Sequence, residues 1–442
     1  MKKIEILFLF LVINLLGLTA QTRQDSILNS LMQKGNWFEV RDYLSQNNDS
    51  ISEMYYLATI SLLDTYFNKP DSALMNTGIL LNKYPKELDG ATFSYGVLMM
   101  KTFVETQRYD EAIGLINDIL TQTGNTLPKP YIDSFNSWLS MCDLYKNHPL
   151  KVVFDETEQS DADFTLPIAG IGLEGKVNGV KGKILLDTGT SLSRISKEVA
   201  DQIGIHTYLT DTVLTNPTVK VFKGIIDSLE IGNVKIYNCP VDITLDRPDI
   251  PLSHEIKEEF FAHIDSLFDN YNNIIVGIST LKLTGIINFD FLKKKISFEQ
   301  TATEYRQPSN MFIIDNTLYL YATLNNQPFT SMFDTGYSVG TFLNKDYYDK
   351  NKGCFSLIDE KEYEINTYTQ DRLDTLVYKK LNNVTLKSYN NNFTLPNAMV
   401  NMSKPIEYSI GYLVPDGIIG NDFLKELQSL KLDFKNMCIT FE

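Results

Sequence analysis

Cysteine is scarce in this 442-residue chain: Cys142, Cys239, Cys354 and Cys438 are widely spaced and never form C-x-x-C. That excludes a dense disulfide framework and a thiolate zinc site, although one or two bridges remain compatible with an exported chain. The four histidines, His148, His206, His254 and His263, show no H-E-x-x-H or comparable spacing, so a zinc hydrolase is not indicated. There is no glycine-rich phosphate loop, and Ser279 in Gly277-Ile-Ser-Thr-Leu281 lacks the second glycine of a nucleophile elbow. No cofactor or metal is implied. Positive charge is in deficit, with 40 Lys and Arg against 55 Asp and Glu and a formal charge of −15, which argues against nucleic acid and anionic membrane surfaces as partners. Beyond residue 20 no segment is apolar enough to span a bilayer.

What is present begins with Lys2 and Lys3, an apolar run over 6–18 and Leu18-Thr19-Ala20 before Gln21. This matches a secretory signal peptide over 1–20, with an uncleaved anchor as the alternative. The expectation is an exported bacterial protein, periplasmic or extracellular, with no membrane attachment once the signal is removed. Residues 21–150 carry helix-period apolar patterns interrupted by short breakers: Gly35-Asn36, Asn68-Lys69-Pro70-Asp71 and Gln107-Arg108-Tyr109-Asp110. Val40, Ala73 and Ala112 lie 33 and 39 residues apart, near the spacing of helix-turn-helix repeats. The segment is predicted to be all-α, either tetratricopeptide-like repeats or an ordinary helical bundle. After a polar linker over 155–163 the texture changes to short β-branched and aromatic strands bounded by Gly, Asn and Asp.

The later part repeats itself. Leu186-Asp187-Thr188-Gly189 recurs as Phe333-Asp334-Thr335-Gly336, 147 residues on. Hairpin-like turns, Val177-Asn178-Gly179 and Leu324-Asn325-Asn326, start ten residues before the respective aspartates. Each copy then carries a buried-strand signature ending in glycine, Asn273-Ile-Ile-Val-Gly277 and Asp416-Gly-Ile-Ile-Gly420. From those glycines the copies run without a gap, Phe289-Asp290-Phe291 matching Leu432-Asp433-Phe434 and 296–299 matching 439–442. We divide this region into lobe 1, 151–305, and lobe 2, 306–442.

A single Asp-Thr-Gly is ordinary turn chemistry. Two copies related by a pseudo-twofold axis would bring Asp187 and Asp334 face to face. Two carboxylates within hydrogen-bond range cannot both ionise cheaply, so the pair holds one proton and is an acid and a base at once. Such a pair can activate a water and donate to a substrate carbonyl without a covalent intermediate. Thr188 and Thr335 are expected to hydrogen-bond across to the opposite loop. Gly189 and Gly336 are expected to let the backbone turn tightly and aim amides at the carboxylates.

These motifs, with Asp416-Gly417-Ile418-Ile419-Gly420-Asn421-Asp422-Phe423-Leu424, resemble the aspartic peptidases of the retropepsin and pepsin type over roughly 163–442. The resemblance implies a multidomain protein of α and β parts: the helical segment, then a mostly β bilobal fold with one catalytic aspartate per lobe. It also implies a protein or peptide substrate in the cleft and hairpin flaps over it. Tyr337 stands where that family usually has a small residue. One flap is placed at the hairpin with Thr215-Asn-Pro-Thr218 at its tip and the other near Gln370-Asp371. Residues 253–271 read as an amphipathic helix inserted in lobe 1. The functional expectation is an exported aspartic endopeptidase whose helical segment recruits substrates or protein partners, or covers the cleft. The alternative is a noncatalytic peptide-binding or scaffold protein that retains the cleft.

Overall fold

A computed structural model describes residues 22–123, 126–155, 162–167, 170–211, 221–245, 257–258, 262, 274–300, 308–369, 372–403 and 415–442. The leader over 1–20, the two flap tips and nearly all of the helix expected over 253–271 lie outside them. The chain divides into a mainly helical unit made of Met1–Pro149, Asp211–Thr215 and Ser409–Val414 and a β-rich unit made of Leu150–Thr210, Asn216–Tyr408 and Pro415–Glu442.

In the helical unit, α1 (Arg23–Gln33) and α2 (Trp37–Asn47), α3 (Glu53–Tyr66) and α4 (Pro70–Lys83), and α5 (Ala91–Glu105) and α6 (Tyr109–Thr123) form three hairpins, followed by α7 (Lys129–Lys146). Each hairpin turns through one residue of positive φ: Gly35 at 67°, Asn68 at 55° and Gln107 at 60°. Each turn also closes with the same six-residue backbone bond, Asn36 N–H to Leu31 O, Lys69 N–H to Asp64 O and Arg108 N–H to Phe103 O, the Schellman ending of a helix. Three residues into the second helix of each hairpin sit Val40, Ala73 and Ala112, exposed by 0%, 1% and 0%. The 33- and 39-residue spacings are therefore those of a repeated turn and a repeated core position.

The β-rich unit contains two copies of one strand plan. Lobe 1 has β1 (Ile171–Val177), β2 (Val180–Leu186), β3 (Arg194–Ser196), β4 (Thr207–Asp211), β5 (Val221–Ile231), β6 (Val234–Thr244), β7 (Ile274–Val276), β8 (Ile286–Asp290) and β9 (Lys295–Glu299). Lobe 2 has β10 (Thr317–Leu324), β11 (Gln327–Phe333), β12 (Thr341–Leu343), β13 (Tyr363–Thr369), β14 (Arg372–Asn382), β15 (Ala398–Asn401), β16 (Gly417–Ile419), β17 (Ser429–Asp433) and β18 (Cys438–Phe441). Strand neighbours run β2-β7-β3-β6-β5-β4 in the first and β11-β16-β12-β15-β14 in the second, with β13 paired to β14. In lobe 1 β4 neighbours β5, and in lobe 2 β13 pairs antiparallel with β14; the residues between the strands of each pair, where the flap tips are expected, lie outside the described residues.

The entry turns match to the hydrogen bond. Asn178 and Gly179 have φ of 50° and 76°, and Asn325 and Asn326 have 47° and 65°, as a two-residue hairpin turn of the mirror-image type requires. Asn178 N–H donates to Ser228 O at 2.8 Å while Ser228 N–H donates to the Asn178 side chain at 3.1 Å. Asn325 and Thr385 repeat that exchange at 2.9 and 2.8 Å.

The lobes are joined through the run β9-β8-β17-β18, one end of a 13-stranded sheet that continues into lobe 1. Here β8 pairs antiparallel with its own copy, β17, and Asn288 lies opposite Lys431, its equivalent residue. A strand paired with its duplicate about their common midpoint defines a pseudo-twofold axis. One face of this sheet is apolar and buried, with Ile287, Phe289, Leu430 and Leu432 no more than 2% exposed. Each such side chain contributes about 1.5–3 kcal/mol on burial, so the symmetric docking of the lobes is built into the core.

Candidate active site

Each aspartate follows a strand that ends in aliphatic or aromatic residues. Ile184, Leu185 and Leu186 in β2, and Phe333 in β11, are at most 2% exposed, and Met332 is 7% exposed. The parallel ladder to the neighbouring strand continues one step past each strand end. Asp187 N–H donates to Val276 O at 3.1 Å and Asp334 N–H to Ile419 O at 3.0 Å. That last rung fixes where the carboxyl points.

The two threonines then tie the lobes together. Thr188 N–H donates to Thr335 Oγ1 at 3.0 Å, and Thr335 N–H donates to Thr188 Oγ1 at 3.0 Å. Their hydroxyls donate onward across the axis, Thr188 to Phe333 O at 2.7 Å and Thr335 to Leu186 O at 3.4 Å. Both threonines are 2% exposed, so these bonds form away from water, where leaving a partner unmade is costly.

The glycines do something other than expected. Neither Gly189 nor Gly336 has positive φ, so the turn alone does not demand glycine. Space does. A Cβ at Gly336 would lie 2.6 Å from the carboxyl atoms of Asp187, and one at Gly189 would overlap the carboxyl of Asp334. Each aspartate therefore sits against the glycine of the other lobe. The amide role does hold: Gly189 N–H donates to Asp187 Oδ1 at 2.8 Å and Gly336 N–H to Asp334 Oδ1 at 2.9 Å.

The later glycines have the same logic. A Cβ at Gly277 would come within 2.5 Å of Thr190 O, and one at Gly420 within 2.5 Å of Tyr337 O. The residues that follow bind those same carbonyls, Ile278 N–H to Thr190 O at 2.8 Å and Asn421 N–H to Tyr337 O at 2.9 Å. Each aspartate loop is thus held from behind by the buried strand of its own lobe.

The electrostatics are unequal. Burial, then the adjacent negative charge of Asp187, and a hydrogen bond between the two carboxyls hold Asp334 well above the usual carboxylate range, against the opposing pull of the Gly336 and Tyr337 amides. Asp187 accepts a further hydrogen bond that Asp334 lacks a counterpart for in sequence: the Thr190 hydroxyl, at 2.6 Å from Oδ2. The matching residue of lobe 2 is Tyr337, whose ring packs edge-on to Phe342 at 5.9 Å. Thr190 was missed by motif reading, although the Thr190/Tyr337 mismatch between the copies is visible in the sequence. All four cysteines are free thiols. Among the described residues no group of three or more His, Cys, Asp or Glu is arranged to hold a metal. Two adjoining carboxyls, one of them held towards its neutral form, can act as acid and base on a molecule bridging the two.

Residues 173–253 match the family model described as aspartyl protease. The chain is similar to a retropepsin-like aspartic protease from Rickettsia conorii, with 19% identity over 34% of this chain and 93% of that one and a TM-score of 0.21. It is also similar to EIAV protease complexed with the inhibitor HBY-793, with 14% identity over 28% of this chain and 92% of that one and a TM-score of 0.17. No curated protein matches it.

Proposed function

We propose that this chain, a retropepsin-like aspartic peptidase by its family match and its doubled Asp-Thr-Gly site, is an exported endopeptidase that cleaves peptide bonds with Asp187 and Asp334. The observation that carries the reading is the reciprocal seating of each carboxyl against the opposite lobe's glycine. In the resting state the proton resides on Asp334, whose surroundings oppose its charge. Asp187, which accepts the Gly189 amide and the Thr190 hydroxyl, takes the role of base.

A water held between the two would give a proton to Asp187 as its oxygen attacks the scissile carbonyl carbon. Asp334 would donate its proton to the carbonyl oxygen, leaving a neutral tetrahedral diol. Asp187 then returns its proton to the leaving nitrogen, and Asp334 recovers its own as the carbonyl reforms. No covalent bond to the protein forms at any step.

The test is cleavage of a peptide library by the purified chain across acidic to neutral pH, beside Asp187→Asn and Asp334→Asn. Both variants are expected to lose activity by on the order of a thousandfold or more, since general acid and base contributions each run to about 10²–10⁴. Activity retained in either one sinks the dyad. Peptide retained but never cut by the parent chain supports instead a noncatalytic peptide-binding protein, a reading favoured by one observation, the bulky Tyr337 beside Asp334.

Export is supported by Lys2, Lys3 and the apolar run over 6–18. Amino-terminal sequencing of protein recovered from a periplasmic or culture fraction is expected to start at Gln21, and an intact Met1 there would count against it. Recruitment of a protein partner remains the role assigned to the helical segment, whose deletion is expected to slow cleavage of whole proteins more than of short peptides.

A further inference from the structure

The two lobes carry one register row in common, and its side chains differ in charge. In lobe 1, Leu185 of β2 pairs with Ile275 of β7, Ile275 with Arg194 of β3, Arg194 with Asp242 of β6, and Asp242 with Lys223 of β5. In lobe 2 the corresponding steps join Met332, Ile418, Phe342, Met399 and Lys380. Directly paired residues project from the same face of a sheet, and residues two apart along a strand share a face. Leu185 is two residues before Asp187, and the ladder continues through Asp187 to Val276. The whole row therefore lies on the face of the sheet that carries the aspartate.

On lobe 1 this row holds two cations and one anion. The Lys223 ammonium donates to Asp242 Oδ1 at 2.7 Å, and these side chains are 8% and 13% exposed. Asp242 is thereby satisfied by lysine. The Nε of Arg194 is buried and has no hydrogen-bond partner among the described residues, while the residue as a whole is half-buried. A chain of formal charge −15 thus keeps a net positive cluster beside its aspartate loop, with one guanidinium N–H unsatisfied. On lobe 2 the positions of Arg194 and Asp242 are apolar, while that of Lys223 keeps a lysine, Lys380. Phe342 and Met399 are 4% and 6% exposed, and the Lys380 ammonium sits over the Tyr363 ring at 4.6 Å. A cavity there is lined by Tyr337, Phe342, Leu376 and Ile418 with the polar Asn344 and Asn401.

We infer that the Arg194–Asp242–Lys223 row is a subsite for an acidic side chain of a bound peptide. The inference rests on the peptidase reading and adds the substrate class: peptides with Asp or Glu near the cut. A substrate carboxylate would give the Arg194 guanidinium the charge-assisted partner it lacks. The cleft would then bind its peptide in one direction, as symmetric pockets could not.

Two readouts test it. A random peptide mixture is digested by the full chain and by Arg194→Gln, and the same mixture is equilibrated with immobilised Asp187→Asn with and without Arg194→Gln. Acidic residues are expected to be enriched at one position near the cut and among retained peptides. Arg194→Gln should lower the kcat/KM ratio of a Glu peptide to its Gln counterpart by about tenfold or more, the size of one hydrogen bond to a charged group. Arg194→Glu should reverse the preference towards Lys. Equal handling of Glu and Gln peptides, or a preference unchanged in Arg194→Gln, overturns the subsite. Acidic peptides retained through Arg194 but never cut would remove the endopeptidase reading while supporting the subsite.

Discussion

Lobe 1 and lobe 2 agree where backbone meets backbone and differ in the side chains on the sheet face that carries each aspartate. The turn asparagines, the threonine exchange, the glycines facing the opposite carboxyl and the glycines behind each loop all recur with matched partners. Thr190 against Tyr337, and Arg194 and Asp242 against Phe342 and Met399, do not. The lesson is that joining two carboxyls about an axis constrains a few short loops in both copies. The rest of each sheet face is free to diverge, and here it is charged at Arg194 and Asp242 in one lobe and apolar at Phe342 and Met399 in the other.

The largest expected effect comes from breaking the agreement at the threonines. Thr188→Val removes the hydroxyl that serves both Phe333 O and Thr335 N–H, leaving two buried backbone groups unpaired at a cost of about 2–4 kcal/mol. Thr335→Val should cost nearly as much, and urea midpoints of the two variants check both the size and the symmetry. A clear inequality would mean the lobes do not share the load.

Next is Gly336→Ala, which places a methyl group against the Asp187 carboxyl. Peptide hydrolysis should fall about a hundredfold, the loss typical of a misplacement near 1 Å, with circular dichroism unchanged. Gly189→Ala should act on Asp334 in the same way.

Asp416 sharpens the comparison through pH. Its carboxyl accepts the Thr330 N–H at 2.8 Å, and burial pushes it up to about 6; lobe 1 has Asn273 at the matching position. Because the folded value lies above the unfolded 3.8, the folded chain holds this proton more tightly. Stability is then lost as pH rises from about 4 to about 6, and stays lost above. Asp416→Asn should be the more stable protein at pH 7 by roughly 2–3 kcal/mol and no different near pH 4, as read by denaturant midpoints at the two pH values. An equal gain at both would assign the effect to packing instead.

The smallest effect tests the mismatch beside the dyad. Thr190→Val deletes the hydroxyl bound to Asp187 at 2.6 Å and should lower kcat about tenfold, the scale of one hydrogen bond to a charged group. Tyr337→Thr, which gives lobe 2 the same residue, should change kcat by less. The opposite ranking would show that Asp334, not Asp187, depends on a neighbouring side chain.

Much of this was legible in the chain because local requirements leave local marks. Asn178-Gly179 and Asn325-Asn326 signal positive-φ turns wherever they occur, and the breakers at Gly35, Asn68 and Gln107 announce the helical hairpins that the structure contains. The duplicated Asp-Thr-Gly and its trailing glycine strands pointed to the paired site. The amide role of the glycines is legible in the motif, whereas the obstruction by the opposite carboxyl is not, since an intrinsic turn preference selects the same residue. Thr190 was passed over because a threonine after a turn is ordinary until its hydroxyl is found on the aspartate.

By itself the sequence determined that there are two alike halves, where each turns, and which acid each presents, since those follow from φ preferences and apolar alternation within a few residues. Only the tertiary structure decided that Asn288 would meet Lys431, that each glycine would face the other half's acid, and that Arg194, Asp242 and Lys223 would line up on one face. Those outcomes depend on the register between strands far apart in the chain. A one-residue slip there would turn every side chain to the opposite face.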